Sequence, residues 1–130
     1  MHKYRPIDMH SKKSNKLVIH CADPRFQLAY RQIIDSWKSY YDLLVLPGAG
    51  KPVAEDVKVV ESIKMLHGLH GFEEVHIMNH LDCGAFGKVD DEIAAHSKIL
   101  EKAEKIITNQ LPGVAIYKHL LGESREVELR

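Results

Sequence analysis

The sequence predicts an α/β fold, a mostly parallel sheet of about four strands flanked by helices, with a C-terminal antiparallel edge strand. Short β-branched and leucine-rich runs alternate with longer stretches in which apolar residues recur at helical spacing. Most of these runs end at Gly, Pro or a polar turn. Strands that alternate with helices form parallel sheets through right-handed crossovers. A length of 130 residues suits one domain with one core.

The chain is predicted to begin with an arm, a strand and a helix. Residues 1–15 are polar, so we expect an N-terminal arm that is either loose or wrapped on a partner subunit. Residues 16–130 are expected to form a single domain. Within it, the run Leu-Val-Ile-His-Cys in residues 16–21 is typical of a buried parallel strand. Pro24 disfavours helix at the residue before it, which predicts a loop and then a helix over residues 26–40.

The second strand is predicted at residues 42–46, and a glycine-containing turn follows it. Gly48 and Gly50 lie between this strand and a helix, but their spacing matches neither the dinucleotide fingerprint nor the P-loop. We therefore expect these glycines to allow a sharp turn and a close approach of the backbone to another group. Apolar residues at near-helical spacing predict a helix over residues 53–70, which ends at Gly71.

The last part of the chain is predicted to contain three strands and one helix. Residues 74–79 form a short apolar run that indicates a third buried strand. A helix follows over residues 90–109, with acidic residues in its first turn, where the helix dipole favours them. Residues 114–120 are predicted as the fourth strand, and residues 125–129 as a short strand that pairs antiparallel at an edge.

Composition excludes several classes of function. Eighteen basic and eighteen acidic residues leave no net charge, and no basic stripe interleaved with aromatic residues is present, so a nucleic-acid partner is not expected. The N-terminus lacks the apolar core of a signal peptide, and no run is long enough to span a membrane, so we expect a cytoplasmic protein without membrane attachment. In such a protein, two well-separated cysteines indicate metal binding or catalysis more often than a disulfide.

Three residues capable of binding a metal follow predicted strands. Cys21 ends the first strand, while His80 and Cys83 follow the third. Because ligand sites in parallel sheets lie beyond the carboxyl ends of the strands, the three side chains should converge. Two thiolates and one imidazole favour zinc. With no further cysteine in the chain, the fourth ligand is either Asp23 or water, which indicates a catalytic rather than a structural site. Arg25 is placed to pair with Asp23.

These motifs together resemble those of the beta-class carbonic anhydrases. Cys-x-Asp-x-Arg follows the first strand and His-x-x-Cys-Gly follows a later one. The glycine turn at residues 48–50 is similar to the glycine-containing loop of that family, and the resemblance extends over about residues 16–116. The matched residues are Cys21, Asp23, Arg25, His80, Cys83 and Gly84.

The resemblance implies a zinc enzyme of the carbonate dehydratase type that interconverts carbon dioxide and bicarbonate. Zinc would be bound by Cys21, His80 and Cys83, and a zinc-bound hydroxide would attack carbon dioxide. Asp23 and Arg25 would be the catalytic pair: Asp23 would accept a hydrogen bond from the hydroxide, and Arg25 would hold Asp23 in place. The resemblance also implies a homodimer or a higher homo-oligomer.

The chain departs from the family pattern at several positions. Pro24 stands where a serine is usual, the glycine loop lacks the typical Arg and Asn, and a glutamine that binds bicarbonate in many members cannot be located. Two alternatives to carbon dioxide hydration therefore stay open. One is hydrolysis of carbonyl sulfide or carbon disulfide at the same zinc. The other is a non-catalytic zinc-binding regulatory module whose metal is closed off by Asp23.

Overall fold

A four-stranded parallel sheet forms the centre of the molecule. The computed structural model describes residues 1–130. The strands are β1 (Lys16–His20), β2 (Tyr41–Val45), β3 (Glu74–His80) and β4 (Ala115–Leu121), in the order β2-β1-β3-β4. All three neighbouring pairs run parallel. The predicted α/β class and its mostly parallel sheet are therefore confirmed.

Helices cover both faces of this sheet because strand residues alternate in direction. On one face, Leu17 and Ile19 pack with buried residues of three helices, α2 (Gly50–Glu55), α3 (Val57–His70) and α4 (Glu92–Gln110). On the other face, Val18 and Met78 pack against Tyr30 and Ile34 of the remaining helix, α1 (Gln27–Ser36). The face with three helices contains the larger core, and the opposite face has a single helix.

Two helices differ from the prediction. The helix expected over residues 53–70 is two helices, because Asp56 adopts an extended backbone and its carboxylate accepts the Lys58 N–H as the N-cap of α3. The first of these helices also begins earlier than expected, at Gly50. The helix expected over residues 26–40 ends at Ser36, and Lys38 then takes a left-handed backbone with φ of 51°. These breaks depend on local capping and backbone geometry, which hydrophobic periodicity does not reveal.

The two ends of the chain contain little regular structure. The antiparallel strand expected over residues 125–129 is reduced to one bridge between Leu121 and Glu126, after which Arg130 donates its N–H to Ser97 of α4. Residues 1–13 are exposed and belong to no helix or strand. The division at residue 15 between an arm and a domain stays a prediction. No helix has the length and apolar character that crossing a membrane requires.

Candidate metal centre

Cys21, His80 and Cys83 converge at the carboxyl-terminal edge of the sheet. Cys21 directly follows β1, His80 ends β3, and Cys83 lies in the turn after it. Their ligand atoms all lie within 4.8 Å of one another, and the three side chains are buried. The two Sγ atoms are 4.0 Å apart and form no disulfide. The structure thus places together the residues that the sequence selected as metal ligands.

The hydrogen bonding of His80 leaves one ring nitrogen free for a metal. Its Nδ1 lies 2.7 Å from the Leu81 carbonyl oxygen, which can only accept, so this nitrogen carries the hydrogen. The bare Nε2 is buried and has no hydrogen-bond partner. Metal-binding histidines commonly donate their second nitrogen to a carbonyl in this way. The ring also stacks on Phe26, with centroids 4.3 Å apart, which fixes its orientation.

The two thiols are buried where a positive charge would stabilise their ionised forms. Burial raises the pKa of the Cys83 thiol, and the nearby Cys21 raises it further, while backbone N–H groups of the following turn oppose this. Two adjacent thiolates are therefore unfavourable without a cation. Together with the bare Nε2 of His80, they form a sulfur- and nitrogen-donor set that suits zinc better than magnesium or calcium.

The glycine turn approaches the metal centre closely, as the sequence predicts. Gly48 has a φ of 87°, which favours glycine, and its N–H donates to Cys21 Sγ across 3.5 Å. Gly50 packs so closely that an added Cβ would lie 3.0 Å from a Leu100 methyl group. Its N–H donates to the Asn79 side-chain oxygen at 2.9 Å. The turn between β2 and α2 thus supplies one backbone donor to the thiol site.

Asp23 and Arg25 form an ion pair beside the three metal-capable side chains. Arg25 Nη2 donates to Asp23 Oδ2 at 2.7 Å, and Nε donates to Oδ1 at 3.1 Å. The Arg25 side chain and its backbone N–H lower the pKa of the Asp23 carboxyl to about 2, so Asp23 is ionised at neutral pH. Asp23 Oδ2 lies 3.8 Å from His80 Nε2. A charged carboxylate therefore adjoins the bare imidazole nitrogen.

Arg25 is itself held by the turn that bears Cys83. Its Nη1 donates to Asp82 Oδ2 at 3.0 Å and its Nη2 donates to the Asp82 carbonyl at 2.9 Å. Both carboxylates raise the pKa of the arginine, which stays charged. Gln27 stabilises the other loop, because its side-chain amide donates to the carbonyl oxygens of Cys21 and Asp23.

Several residues near the site were not selected from the sequence. Asp82 lies within the His-x-x-Cys motif, where its contact with Arg25 has no sequence signal. Asn79 and His96 are buried and hydrogen-bonded to each other at 2.9 Å, and Glu92 accepts the Asp82 N–H. The one hint in the sequence was Asn79, a polar residue within the predicted buried strand, because a buried amide requires hydrogen-bond partners.

A groove of about 750 Å³ opens next to the ion pair. It runs between α1 and the C-terminal turn. Apolar side chains, among them Phe26, Ile33 and Leu121, form part of its lining together with Arg25 and Arg125. The groove exposes Arg25 of the ion pair to solvent, whereas the side chains of Cys21, His80 and Cys83 are buried.

Comparison with known proteins places the chain in a family. A family model described as "Putative carbonic anhydrase" matches residues 11–129. An uncharacterised protein of Rickettsia bellii is 30% identical over 103 residues, which covers 68% of this chain and 63% of the relative. An uncharacterised protein of Rickettsia conorii is 31% identical over 103 residues, with 68% and 55% covered. The chain thus spans less than two thirds of the length of these relatives.

Solved structures share the fold at low sequence identity. A beta-carbonic anhydrase from Trichomonas vaginalis superimposes with a TM-score of 0.69 at 12% identity, with 92% of this chain and 82% of that chain covered. A carbonic anhydrase from Streptococcus mutans gives 0.64 at 18% identity, with 98% and 89% covered. With the family model, which matches most of the sequence, these likenesses confirm the resemblance seen in the two motifs. The chain belongs to the carbonic anhydrase family and has the fold of its beta class.

Proposed function

We propose that this protein catalyses the reversible hydration of carbon dioxide to bicarbonate, with zinc held by Cys21, His80 and Cys83. The supporting observation is the bare, buried Nε2 of His80, which lies with two thiols inside a 4.8 Å cluster and adjoins the ionised Asp23. These three side chains would hold the zinc, and the Asp23 carboxylate lies beside them. Catalytic zinc sites commonly have three protein ligands and one exchangeable position.

The residues of the chain divide the work of this reaction. When bound, zinc acts as a Lewis acid that lowers the pKa of coordinated water toward about 7. Asp23 is ionised and can accept a hydrogen bond from a nucleophilic oxygen, which orients the oxygen's lone pair. Arg25 holds both oxygens of Asp23 and prevents the carboxylate from rotating. Phe26 covers the imidazole of His80 and supplies an apolar surface next to it.

The position of Asp23 also supports a second candidate, a closed zinc site without turnover. Asp23 Oδ2 lies 3.8 Å from His80 Nε2, so a small shift would bring the carboxylate onto a metal held by that nitrogen. A protein with this arrangement would act as a zinc-binding regulatory module. Hydrolysis of carbonyl sulfide or carbon disulfide is an enzymatic alternative that would use the same residues.

The proposed oligomer is a homodimer or a larger homo-oligomer. Leu43 and Val45 lie on the edge strand β2 and are more than two fifths exposed. Tyr4, Ile7 and Met9 add exposed apolar groups to the N-terminal arm. Association between copies would bury both sets of residues. Light scattering measured together with size-exclusion chromatography tests this, and a monomer at micromolar concentration would contradict it.

Stopped-flow hydration of carbon dioxide by zinc-loaded protein tests the proposed reaction. We expect activity that rises with pH between about pH 6.5 and 9, because deprotonation of coordinated water supplies the nucleophile. Asp23→Ala should reduce kcat by at least about tenfold while zinc stays at one per chain, and Asp8→Ala in the arm is the matched control. If the wild-type protein holds zinc but shows no activity at any pH, the anhydrase proposal fails. Carbonyl sulfide and carbon disulfide are then the next substrates to test.

A further inference from the structure

His96 is a buried histidine on α4 that lies outside the cluster of metal-capable residues. Its side chain is fully buried, and its ring lies 4.1 Å from that of Phe86. Burial lowers its pKa to about 4, so the ring is neutral at physiological pH. Its Nε2 has no hydrogen-bond partner. A fully buried polar atom without a partner is costly, which suggests a role beyond packing.

The hydrogen bonds around Asn79 determine which nitrogen of His96 bears the hydrogen. The Gly50 N–H donates to Asn79 Oδ1 at 2.9 Å, and since a backbone N–H cannot accept, the amide orientation is fixed. Asn79 Nδ2 must then be the donor to His96 Nδ1, 2.9 Å away. The single hydrogen of the neutral ring therefore resides on Nε2. Glu92 Oε1, one turn earlier on α4, lies 3.9 Å from this nitrogen.

Glu92 connects α4 to the turn between the metal-capable residues. Its Oε1 accepts the backbone N–H of Asp82. Asp82 has a left-handed backbone with φ of 57°, a conformation that a non-glycine residue adopts at some cost. The hydrogen bond from its N–H to Glu92 compensates part of that cost. A carboxylate at the start of α4 thus fixes the orientation of the Leu81–Asp82 peptide, which contains this N–H.

The backbone of Asp82 joins this peptide to the next one, Asp82–Cys83, whose carbonyl oxygen accepts a hydrogen bond from Arg25. Arg25 binds both the carbonyl and the carboxylate of Asp82, but the Asp82 side chain is 86% exposed. An ion pair this exposed contributes little by itself. The carbonyl direction follows from the backbone angles of Asp82, which is held in its left-handed conformation, so the carbonyl is the stronger constraint on the guanidinium group. Arg25 then places the carboxylate of Asp23 through Nε and Nη2.

We propose that Glu92 and His96 are positioning residues for the Asp23–Arg25 pair. Glu92 acts through the backbone of Asp82, and His96 acts through Glu92, because its Nε2–H attracts the carboxylate electrostatically across 3.9 Å. This inference rests on the proposed function, because it assigns to α4 the task of keeping Asp23 off the metal. Without Glu92, the backbone of Asp82 can leave its left-handed conformation, which turns the Asp82 carbonyl away from Arg25. Asp23 is then free to move the short distance toward His80 Nε2. The expected consequence is a site closed by carboxylate.

Cobalt substitution tests this independently of turnover. The visible bands of Co²⁺ bound by two thiolates and one imidazole depend on the fourth ligand, so they distinguish carboxylate from water. We expect the spectrum of Glu92→Ala to differ from that of the wild-type protein, whereas Glu92→Gln, which keeps the oxygen acceptor, should restore the wild-type spectrum. Glu101→Ala, at an exposed site on the same helix, is the matched control and should have no effect.

Rates and a second variant complete the test. In the zinc protein, Glu92→Ala should lower kcat/KM by at least about tenfold, as loss of outer partners does at metal sites, and Glu92→Gln should recover it. His96→Leu keeps the apolar volume but removes the ring N–H, and should change the cobalt spectrum in the same direction. If Glu92→Ala folds poorly, His96→Leu alone decides the question.

The outcomes separate this inference from the proposed function. A wild-type cobalt spectrum for both Glu92→Ala and His96→Leu overturns the positioning role, even in a protein that hydrates carbon dioxide. If kcat/KM falls as far in Glu92→Gln as in Glu92→Ala, the positioning role is also overturned, because the negative charge at the start of α4 would then be responsible. If the wild-type protein shows no activity but the alanine variant changes the spectrum, the positioning role holds and the anhydrase proposal fails.

Discussion

Replacement of His96 by glutamine should make the protein less sensitive to acid. In the folded chain, burial lowers the pKa of His96 to about 4, from an ordinary value of 6.5. The unfolded chain therefore binds a proton at this residue between these pH values, while the folded chain does not. The stability that the neutral ring provides is fully present above pH 6.5 and is lost as the pH falls toward 4.

The size of this effect follows from the two pKa values. Between about pH 7.5 and pH 5, protonation of the unfolded chain at this one residue lowers the free energy of unfolding by about 2 kcal/mol. His76 is also buried and its pKa is likewise lowered to about 4. Its protonation therefore lowers the free energy of unfolding to the same extent in the wild type and in His96→Gln. The difference between wild type and His96→Gln isolates the contribution of His96, because a glutamine amide can replace the hydrogen bond to Asn79 without titrating.

Urea unfolding of zinc-loaded protein, followed by circular dichroism at both pH values, measures this difference. We expect the fall in unfolding free energy to be about 2 kcal/mol smaller for His96→Gln than for the wild type. His10→Gln, in the exposed arm, is the matched control and should behave as the wild type. Equal pH dependence in the wild type and His96→Gln would refute the reasoning, because it would mean that the folded protein holds His96 with an ordinary affinity for protons.

Four further substitutions test the cluster, the packing of two glycines and a helix cap. Cys83→Ser should reduce bound zinc from one per chain to a small fraction, measured by elemental analysis after dialysis; full retention would exclude Cys83 as a ligand. Gly50→Ala should destabilise the fold by about 1–3 kcal/mol in urea unfolding, because the added Cβ would lie 3.0–3.2 Å from three buried side-chain atoms. Gly68→Ala, where the Cβ meets nothing, should instead stabilise α3 by about 0.5–1 kcal/mol, and an equal loss at both glycines would contradict the packing argument. Asp91→Ala should cost about 1 kcal/mol, because the carboxylate accepts the Ala94 N–H as the N-cap of α4, and an unchanged urea midpoint would argue against this cap.

The parallel sheet and its ligand cluster were predictable because both depend on short-range patterns. Apolar runs mark strands that are buried on both faces, and the end of each run marks the edge at which side chains converge. Cys21, His80 and Cys83 were selected for this reason, and the structure brings them together. The pairing of Asp23 with Arg25 could be predicted as well, since only Pro24 separates them along the chain.

The residues that surround this cluster could not be predicted because they meet only in three dimensions. Asn79, Glu92 and His96 have no shared motif, and their contacts require α4 to pack across the end of β3. The break at Asp56 depends on a cap that competes with a continuous helix. The alternating pattern of residues 125–129 predicted a strand with several pairings, but the structure contains only one antiparallel bridge there.

The cluster of Cys21, His80 and Cys83 also depends on the register in which β1 pairs with β3. His20 of β1 lies opposite Met78 of β3. Cys21 directly follows His20, and His80 lies two positions after Met78. A slip of one residue would displace Cys21 by about 3.3 Å along the sheet and turn its neighbours to the opposite face. The cluster would then lose its thiol from β1. Since the two cysteines are 62 positions apart, an ion bound to both would clamp distant parts of the chain in this one alignment and disfavour every shifted pairing.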